Sequence, residues 1–441
     1  MDHSRGAKEG VCRVPGETCG DRQVDVAVLG AGVVGMCTAY ALARRGLSVV
    51  LIDRDEGPGR GTSFANGAQL SYAYVDALAQ PALWRKIPAM LAGLDPAFRI
   101  SLQPDMEFLR WNLAFLRNCT ANRFREATRA ALQLGLESQI AMAQLRAHHA
   151  FDFGHATPGK LHIYRDTAAL ARAEEVSLLK QEAGFEQHVV SSAEARNIEP
   201  ALSGAEDFAG ALWTPAEEVG DPHRFCEGLL AAMRCEYRVA AHFNWTLGSF
   251  AETDDGITVT EKEGGTGREL RARQAVICLG PEAGPFLSGL GIRVPIQPMK
   301  GYSFTAPATA GAPRVSLTDT ARKIVFCRLG ESLRVAGLAE LGQWDRWVNP
   351  DRLHALIHGA RAFLPEAARF DQAGEGWAGL RPMTPDSQPI VRRASRRIIL
   401  NIGHGMLGWT FAAGTGERVA GLLTAGDICP PYKGLFKACP R

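Results

Sequence analysis

The chain has 441 residues, of which 46% are hydrophobic and 22% charged, and its formal net charge at pH 7 is +2. This length is greater than that of one simple compact domain, so two interleaved domains are predicted. The composition is that of an ordinary globular enzyme. The small net charge gives no reason to expect a nucleic acid or an acidic partner. No apolar run reaches the roughly 20 residues needed to span a bilayer.

The cysteines and the amino-terminal segment indicate where the protein works. The ten cysteines are scattered without a Cys-x-x-Cys pair, which favours free thiols in a reducing compartment. Residues 1–23 are polar and lack an apolar stretch, so they predict a disordered tail and not a signal peptide. A cytoplasmic location is therefore expected. His148, His149 and His155 have no matching ligand spacing, so no metal site is predicted.

The strongest pattern lies in residues 24–53, which predict an apolar strand, a glycine turn, an amphipathic helix and a second apolar strand. Gly30, Gly32 and Gly35 form the G-x-G-x-x-G fingerprint of a dinucleotide site. The first glycine permits the tight turn, the second lets a pyrophosphate approach, and the third lets the helix pack closely on the strand. Asp53 ends the second strand about where a ribose-binding carboxylate belongs. The whole unit predicts dinucleotide binding.

After this unit the pattern alternates between helices and short strands. A loop of small and polar residues, 59–71, comes first. Helices are predicted over 84–94, 106–118, 125–149, 167–184, 222–236 and 351–363. Strands are predicted over 160–166, around 210–220, in a meander over 243–280 with turns at Asp255-Gly256 and Gly264-Gly265, and through 294–340. The chain closes with a strand, a glycine loop and a helix over 398–426.

Two of the loops carry residue types that suit a dinucleotide. The loop after the second strand offers short polar side chains and small residues that can hydrogen-bond a diphosphate, at Thr62, Ser63, Asn66, Gly67 and Gln69. A solvated loop is the alternative. The apolar strand AVICLG ends in Gly280, where a small residue lets the backbone lie close to a cofactor, although taken alone a strand-ending glycine is the preferred explanation.

Two segments near the carboxyl terminus suit an anionic ligand. Arg381 lies in GLRPMTP, where Pro382 and Pro385 stiffen the chain, and a rigidly held guanidinium suits a bidentate carboxylate clamp. A structural arginine is the alternative. GHGMLGWT, residues 403–410, is a glycine loop that runs into a helix, whose free N–H groups would stabilise negative charge. His404 in that loop is interpreted as a packing residue in preference to a catalytic base.

Taken together, six segments resemble the D-amino acid oxidase superfamily of FAD-dependent oxidoreductases: GAGVVG, TSFANGAQLS, EVGDPHRF, PMKGYSFT, GLRPMTPD and NIGHGMLGWT. The resemblance covers about residues 24–425 and is greatest to the bacterial D-amino acid dehydrogenases. It implies an α/β fold, with a Rossmann-like FAD-binding domain of glutathione-reductase type interleaved with an α+β substrate domain of mixed sheet and helices. It also implies noncovalent FAD and oxidation of a D-amino acid to a 2-oxo acid and ammonia, with hydride transfer from Cα to flavin N5. Electrons would pass to a respiratory acceptor such as a quinone.

The resemblance also assigns roles to residues. Arg381 is implied to grip the substrate carboxylate, and Tyr302 of KGYSFT is the best candidate to support it. The implied FAD contacts are Gly30, Gly32, Val33, Val34, Gly35, Asp53, Arg54, Thr62, Ser63, Asn66, Gly67, Gln69, Gly280, Gly403, His404, Gly405, Gly408, Trp409 and Thr410. The chain departs from the family pattern in its amino-terminal extension and in the order Asn66-Gly67-Ala68.

Motifs near both ends of the chain are expected to bind the same cofactor, so the FAD-binding domain is predicted to be built from separate segments. The implied domains are a tail at 1–23, an FAD-binding domain at 24–81, 221–284 and 372–441, and a substrate domain at 82–220 and 285–371. Two functions stay open as alternatives: oxidation of a secondary amine or imino acid such as sarcosine, D-proline or hydroxyproline, and a flavin-bearing subunit of a larger complex.

Residues 82–118 raise a further question about location. They form a partly apolar and partly basic helical surface that could lie against the inner face of the cell membrane. The slightly preferred alternative is that Trp84, Ile87, Leu91 and Phe108 pack on the protein itself.

Overall fold

The computed structural model describes residues 23–424 except residues 86, 88, 89, 91, 92 and 96. Residues 1–22 of the predicted tail, residues 425–441 and Leu91 lie outside the described residues. The strands are β1 Val24–Leu29, β2 Val49–Ile52, β3 Gln69–Leu70, β4 Phe98–Ile100, β5 Lys160–Tyr164, β6 His188–Ser191, β7 Gly210–Thr214, β8 Glu218–Val219, β9 Ala240–His242, β10 Leu247–Glu252, β11 Ile257–Glu261, β12 Glu269–Ile277, β13 Gln297–Pro307, β14 Ser316–Asp319, β15 Ile324–Leu329, β16 Ser332–Leu341, β17 Trp377–Met383, β18 Ile390–Arg393 and β19 Ile398–Ile402. The α-helices are α1 Val33–Ala43, α2 Met106–Asn118, α3 Ala121–His148, α4 Thr167–Glu182, α5 Ser192–Ile198, α6 Pro222–Glu236, α7 Ala283–Gly289, α8 Pro350–Phe363 and α9 Gly408–Thr424.

The first sheet is built on parallel strands in the order β9-β2-β1-β12-β19. Three antiparallel strands extend it, with β10 and β11 beside the first half of β12 and β18 beside β19. Strand β1 is an unbroken apolar run because both faces of a parallel sheet are covered, and Val28 and Leu29 are fully buried. The carboxyl ends of the parallel strands meet at one edge, where ligands bind in such sheets.

Helices from the two ends of the chain cover one face of this sheet. Ten of the eleven residues of α1 are buried. Helix α9 crosses α1 at Gly416, where a Cβ atom would lie 2.8 Å from the carbonyl oxygen of Cys37. The side chain of Glu417 pairs with Arg44 and Arg45 just beyond α1, at 2.8 and 2.6 Å. Helix α3 packs on the other side of α9, where Gly414 lies against Ser138.

The second sheet has nine strands in the order β17-β13-β16-β15-β14-β5-β7-β6, with β4 beside β16. Because side chains alternate along a strand, each strand presents one set of residues to each face. One face packs on α8, where the rings of Phe326 and Phe363 lie 5.7 Å apart. The opposite face presents Val325, Ala336 and Ser303, which stand in register on β15, β16 and β13 and line a cavity.

The main predicted elements are present in the structure, but several short elements were not predicted, among them β4, β6, β18, α5 and α7. The strand–turn–helix–strand unit at 24–53, the meander and the closing helix are confirmed, except that α1, predicted as amphipathic, is buried on nearly every side. Strand β9 is absent from the prediction because it has only three residues and follows a helix directly. Strand β17 pairs with β13 in the second sheet, although residues 372–441 are expected in the FAD-binding domain. Helix α3 packs on α9, although residues 82–220 are expected in the substrate domain.

The crossing of α1 and α9 gives a stability prediction. Replacing Gly416 with alanine should lower the free energy of unfolding by about 1–3 kcal/mol, since its Cβ would press on the backbone of Cys37. Gly421 lies on the same helix with no atom within 4 Å of an added Cβ. Gly421→Ala should therefore raise stability by about 0.5–1 kcal/mol through helix propensity. Urea unfolding of both variants checks this, and a Gly416→Ala protein as stable as the wild type would contradict it.

Candidate functional site

One cavity of about 750 Å³ lies between the carboxyl edge of the first sheet and the open face of the second. It is lined by the ends of β1, β2, β12 and β19, by the loop after β2, and by β13 to β17. Of the residues singled out from the sequence, all except Gly35 line it, including Arg381 and Tyr302. The structure therefore brings together motifs that are more than 300 residues apart in the chain.

The glycine turn after β1 is shaped by close backbone contacts. Gly30 has φ +102°, and a Cβ atom there would lie 2.5 Å from the carbonyl oxygen of Cys278 at the end of β12. Gly35 lies beneath the turn, where its Cβ would overlap the carbonyl of Gly30, which explains why it does not reach the cavity. The amide of Val33, at the start of α1, donates to Ser63 Oγ at 3.1 Å.

Asp53 is held rigidly at the end of β2. Its carboxylate accepts hydrogen bonds from the amides of Ala31 and Asp55, at 2.5 and 2.9 Å. Burial raises the pKa of this carboxyl above its ordinary value, and the two amide hydrogen bonds act in the opposite sense. The neighbouring Arg54 pairs with Glu282 at 2.7 Å, which joins the ends of β2 and β12 across the cavity.

The loop after β2 lies on the second sheet and is bonded to it. The hydroxyl of Thr62 donates to Leu380 O at 2.7 Å, and the amide of Gln69 donates to Ser316 Oγ at 2.6 Å. Asn66 Oδ1 accepts from the amide of Ala68 at 2.8 Å. A Cβ on Gly67 would lie 3.1 Å from Val325 Cγ2, so a larger residue there would make a tight contact with the sheet.

The cavity keeps polar atoms that have no hydrogen-bond partner among the described residues. Trp245 Nε1, Asn401 Oδ1 and Thr318 Oγ1 are buried, line the cavity and have no such partner. Buried polar atoms are nearly always hydrogen-bonded in native proteins, so a bound molecule is expected to supply these partners. Trp245 follows β9 and its amide donates to Asp53 O, which places this unpartnered atom beside the predicted ribose end. The donor set, the cradle at Gly30 and the carboxylate of Asp53 fit a dinucleotide.

Arg381 is a partly buried guanidinium without a counter-charge among the described residues. It lies on β17, its Nη1 donates to Leu338 O at 3.3 Å, and no described carboxylate oxygen lies within 4.0 Å of it. Burial lowers its pKa to about 10, so it remains charged at neutral pH. Its guanidinium lies on Gly301 of β13, and a Cβ there would overlap it. Leu338 has φ +58° at a bulge in β16, which turns its carbonyl toward Arg381.

Tyr302 follows Gly301, on which Arg381 lies, but its hydroxyl is hydrogen-bonded to a different residue. Its hydroxyl donates to Glu340 Oε2 at 2.9 Å, and Glu340 pairs with Arg352 at 2.8 Å. The side chain is only 1% exposed, and burial together with Glu340 raises its pKa. The single hydroxyl hydrogen of Tyr302 is therefore given to Glu340.

The loop 403–410 forms the wall opposite. His404 is buried, its Nε2 lies 3.0 Å from Thr415 Oγ1, and burial lowers its pKa to about 3. Its ring is therefore neutral at physiological pH, as the packing interpretation requires. Trp409 Nε1 donates to Gly220 O at 3.1 Å, and Thr410 Oγ1 accepts from the amide of Ser71 at the same distance. Gly408, Trp409 and Thr410 at the start of α9 thus line the cavity.

Several cavity residues were missed by sequence reasoning. Lys160, Tyr74, Asp76, Trp245 and Asn401 all line the cavity. Trp245 and Asn401 could have been found from their positions at the ends of parallel strands, where ligands bind. Lys160 begins a predicted strand, and nothing in its local pattern distinguishes it. Within the described part of the chain, no three His, Cys, Asp or Glu side chains are grouped as metal ligands would be.

A parallel sheet with a glycine turn and a carboxylate after its second strand is typical of dinucleotide-dependent enzymes, and in this protein an arginine without a described counter-charge lines the same cavity. The chain belongs to the FAD-dependent oxidoreductase family, whose model matches residues 25–422. The cofactor is therefore FAD, and the residues described above would hold it.

Comparison with individual proteins refines this assignment. The chain is 40% identical to D-amino acid dehydrogenase 2 of Ralstonia nicotianae, over 91% of this chain and 96% of that protein. It is 38% identical to the D-amino acid dehydrogenase of Paramagnetospirillum magneticum, over 93% and 97% of the two chains. The solved structure of glycine oxidase from Geobacillus kaustophilus has a TM-score of 0.72 at 19% identity, covering 92% and 96%. That likeness confirms the predicted fold class.

The seat of Arg381 on Gly301 gives a prediction about anion binding. Gly301→Ala should displace the guanidinium without unfolding the sheet, since the clashing atoms belong to the end of a side chain. A hydrogen bond to a charged group contributes about 1.5–3 kcal/mol. The Kd of a small carboxylate such as benzoate, followed by its perturbation of the flavin absorbance, should therefore rise by about tenfold or more.

Gly289→Ala is the matched control, because an added Cβ there meets no atom within 4 Å. Unchanged benzoate affinity in Gly301→Ala would show that the close contact does not position Arg381.

Proposed function

We propose that this chain is a D-amino acid dehydrogenase. It oxidises a D-amino acid to an imino acid, which water converts to the 2-oxo acid and ammonia. The observation that carries the proposal is Arg381, a partly buried cation that lines the cavity without a described counter-charge. An α-amino acid supplies the missing anion through its carboxylate, and the names of the relatives support a D-amino acid as the substrate.

Arg381 binds and orients the substrate. A guanidinium donates two parallel hydrogen bonds to one carboxylate, which fixes both its position and its plane. The neighbouring lining residues Met299, Leu78 and Phe98 are apolar, so the charge pair forms in surroundings of low dielectric constant, where it is strong. The phenol of Tyr302 would have to leave Glu340 to reach the carboxylate. We therefore assign Tyr302 to the wall behind Arg381.

When bound, FAD supplies the oxidant that takes up the two electrons removed from the substrate. His404 accepts no proton at neutral pH, because burial lowers its pKa to about 3. The contribution that this geometry supports is orientation of the substrate by Arg381.

We also propose peripheral contact with a membrane, where a quinone would accept the electrons. Among the helices that the structure describes, none is long and apolar enough to cross a membrane. An apolar patch is nevertheless exposed, formed by Trp84, Leu102, Met106, Leu109, Leu113, Trp344 and Trp347. The segment of Leu102 and the segment of Trp344 are joined by the hydrogen bond from Gln343 to Ser101 at 2.6 Å. Phe108 and Trp111 of α2 are buried instead, so that helix packs on the protein through its other face.

The position and charge of the apolar patch favour a lipid surface as its partner. Leu83, Phe98 and Arg346 line the cavity and lie within the same segments, so the patch adjoins the cavity mouth. Exposed Arg110 and Arg117 on α2 suit anionic headgroups. A quinone dissolved in the bilayer would reach the cofactor from this side.

The proposed reaction is tested by anaerobic bleaching of the flavin with matched D- and L-amino acids. Arg381→Lys and Arg381→Ala should lower kcat/KM for the D-enantiomers by at least about tenfold. Losing one partner of a buried charge pair costs about 2–5 kcal/mol, and about 1.4 kcal/mol is tenfold. FAD content should stay unchanged.

Arg328→Lys, on β15 outside the cavity, is the matched control. Bleaching by sarcosine but by no D-amino acid would replace the proposed substrate, and loss of FAD in both variants would reassign Arg381 to the cofactor.

The membrane proposal is tested by sedimentation with anionic phospholipid vesicles at low salt. The double variant Leu109→Glu/Leu113→Glu should lose most vesicle binding, because two charges enter the apolar patch. Leu178→Glu on α4 changes an equally exposed leucine elsewhere and should bind as the wild type does. Equal vesicle binding by all three proteins, or none by the wild type, would reject the patch as a docking surface.

A further inference from the structure

A second buried cation faces the cavity, and the function proposed above does not use it. Lys160, the first residue of β5, is 1% exposed and lines the cavity. Its ammonium donates to Gln69 Oε1 and Ser71 Oγ, both at 2.8 Å, and lies 4.8 Å from the ring centre of Tyr74. No described carboxylate oxygen lies within 4.0 Å of it. A buried ion without a paired counter-ion is costly, so a fold retains one where its charge has a use.

The contacts of Lys160 place it next to the start of α9. Ser71, which accepts from Lys160, donates its amide to Thr410 Oγ1 in the first turn of that helix, at 3.1 Å. The amide groups of a helix's first turn carry a partial positive charge. Lys160 and the start of α9 therefore lie next to each other at the cavity wall, and Gln69, which accepts from Lys160, lines the cavity beside it.

A neighbouring lysine shows that this arrangement is particular to Lys160. Lys180 is equally buried and also lies near Tyr74, but it pairs with Asp76 at 3.0 Å and does not line the cavity. Its charge is compensated within the protein. Glu217 is buried in the same cluster. It is hydrogen-bonded to Ser71, the acceptor of Lys160, and acts on Lys160 electrostatically without a direct ion pair. Burial lowers the pKa of Lys160 to about 8, so the ammonium is mostly protonated at pH 7.

We propose that Lys160 is a positioning residue for charge on the cofactor: acting through Gln69 and with the first turn of α9, its ammonium stabilises the negative charge that reduction places on FAD. A fixed cation in a dry site interacts strongly with charge that develops nearby. Removing it should make reduced FAD less favourable and so lower the reduction potential. The proposal needs FAD to be bound but does not depend on which substrate is oxidised.

The test uses the purified holoenzyme and no amino acid. Sulfite adds to oxidised flavin and leaves it negatively charged, so its affinity reports on the same electrostatic effect. Lys160→Met and Lys160→Gln should each raise the Kd for sulfite by about tenfold or more. The reduction potential, measured against reference dyes, should fall by about 30 mV, since a tenfold change in a two-electron equilibrium corresponds to about 30 mV. The Kd of Lys160→Arg for sulfite should stay within about threefold of the wild-type value.

Two further variants separate charge from structure. Gln69→Glu keeps Lys160 but neutralises its charge with an adjacent carboxylate. It should therefore shift the Kd for sulfite and the reduction potential as Lys160→Gln does. The double variant Lys180→Met/Asp76→Asn removes both members of a buried ion pair, and its sulfite affinity should match the wild type. Wild-type potential and sulfite affinity in the two neutral Lys160 variants would overturn the proposal. It is equally overturned if Lys180→Met/Asp76→Asn shifts them as much, or if Lys160→Gln and Gln69→Glu only lose FAD.

Discussion

The loop that follows β2 is bonded to strands of the opposite sheet, and the site depends on this contact. Ser303 donates to Ala65 O at 2.5 Å, and Arg334 donates to Asn66 O at 3.1 Å. Thr62 reaches Leu380 O, one residue before Arg381. The same loop thus borders the dinucleotide turn on one side and the arginine strand on the other. A change in how it lies on the second sheet would move the cofactor contacts and the substrate contacts together.

Local chemistry explains which parts of the site could be predicted. The turn at Gly30 and the carboxylate at Asp53 are set by residues close together in sequence, where steric demands act directly on residue type. The guanidinium of Arg381 could also be singled out, because the prolines around it are visible in the sequence. The contact of Arg381 with Gly301 could not be predicted, because Gly301 lies 80 residues earlier and reaches Arg381 only through the pairing of β13 with β17.

Long-range pairing also explains what could not be predicted. Lys160 faces the cavity because β5 pairs with β14 and because the loop after β2 brings Gln69 to it. Neither contact can be recognised from the residues next to Lys160 in the sequence. A lysine at the start of a strand is usually solvated. The same reason applies to β17, whose motif residues point to the cofactor domain while its hydrogen bonds place it in the other sheet.

The packing of α1 against α9 has a consequence for how the chain folds during synthesis. Helix α1 is buried on nearly every side, yet much of what covers it belongs to residues 408–424. Domains tend to fold as their residues leave the ribosome, but this one has to wait until almost the whole chain has emerged. Until then the apolar surface of α1 stays exposed, and the incomplete chain can aggregate through it. A chain that terminates before α9 would carry the complete G-x-G-x-x-G motif and still lack the core that holds it.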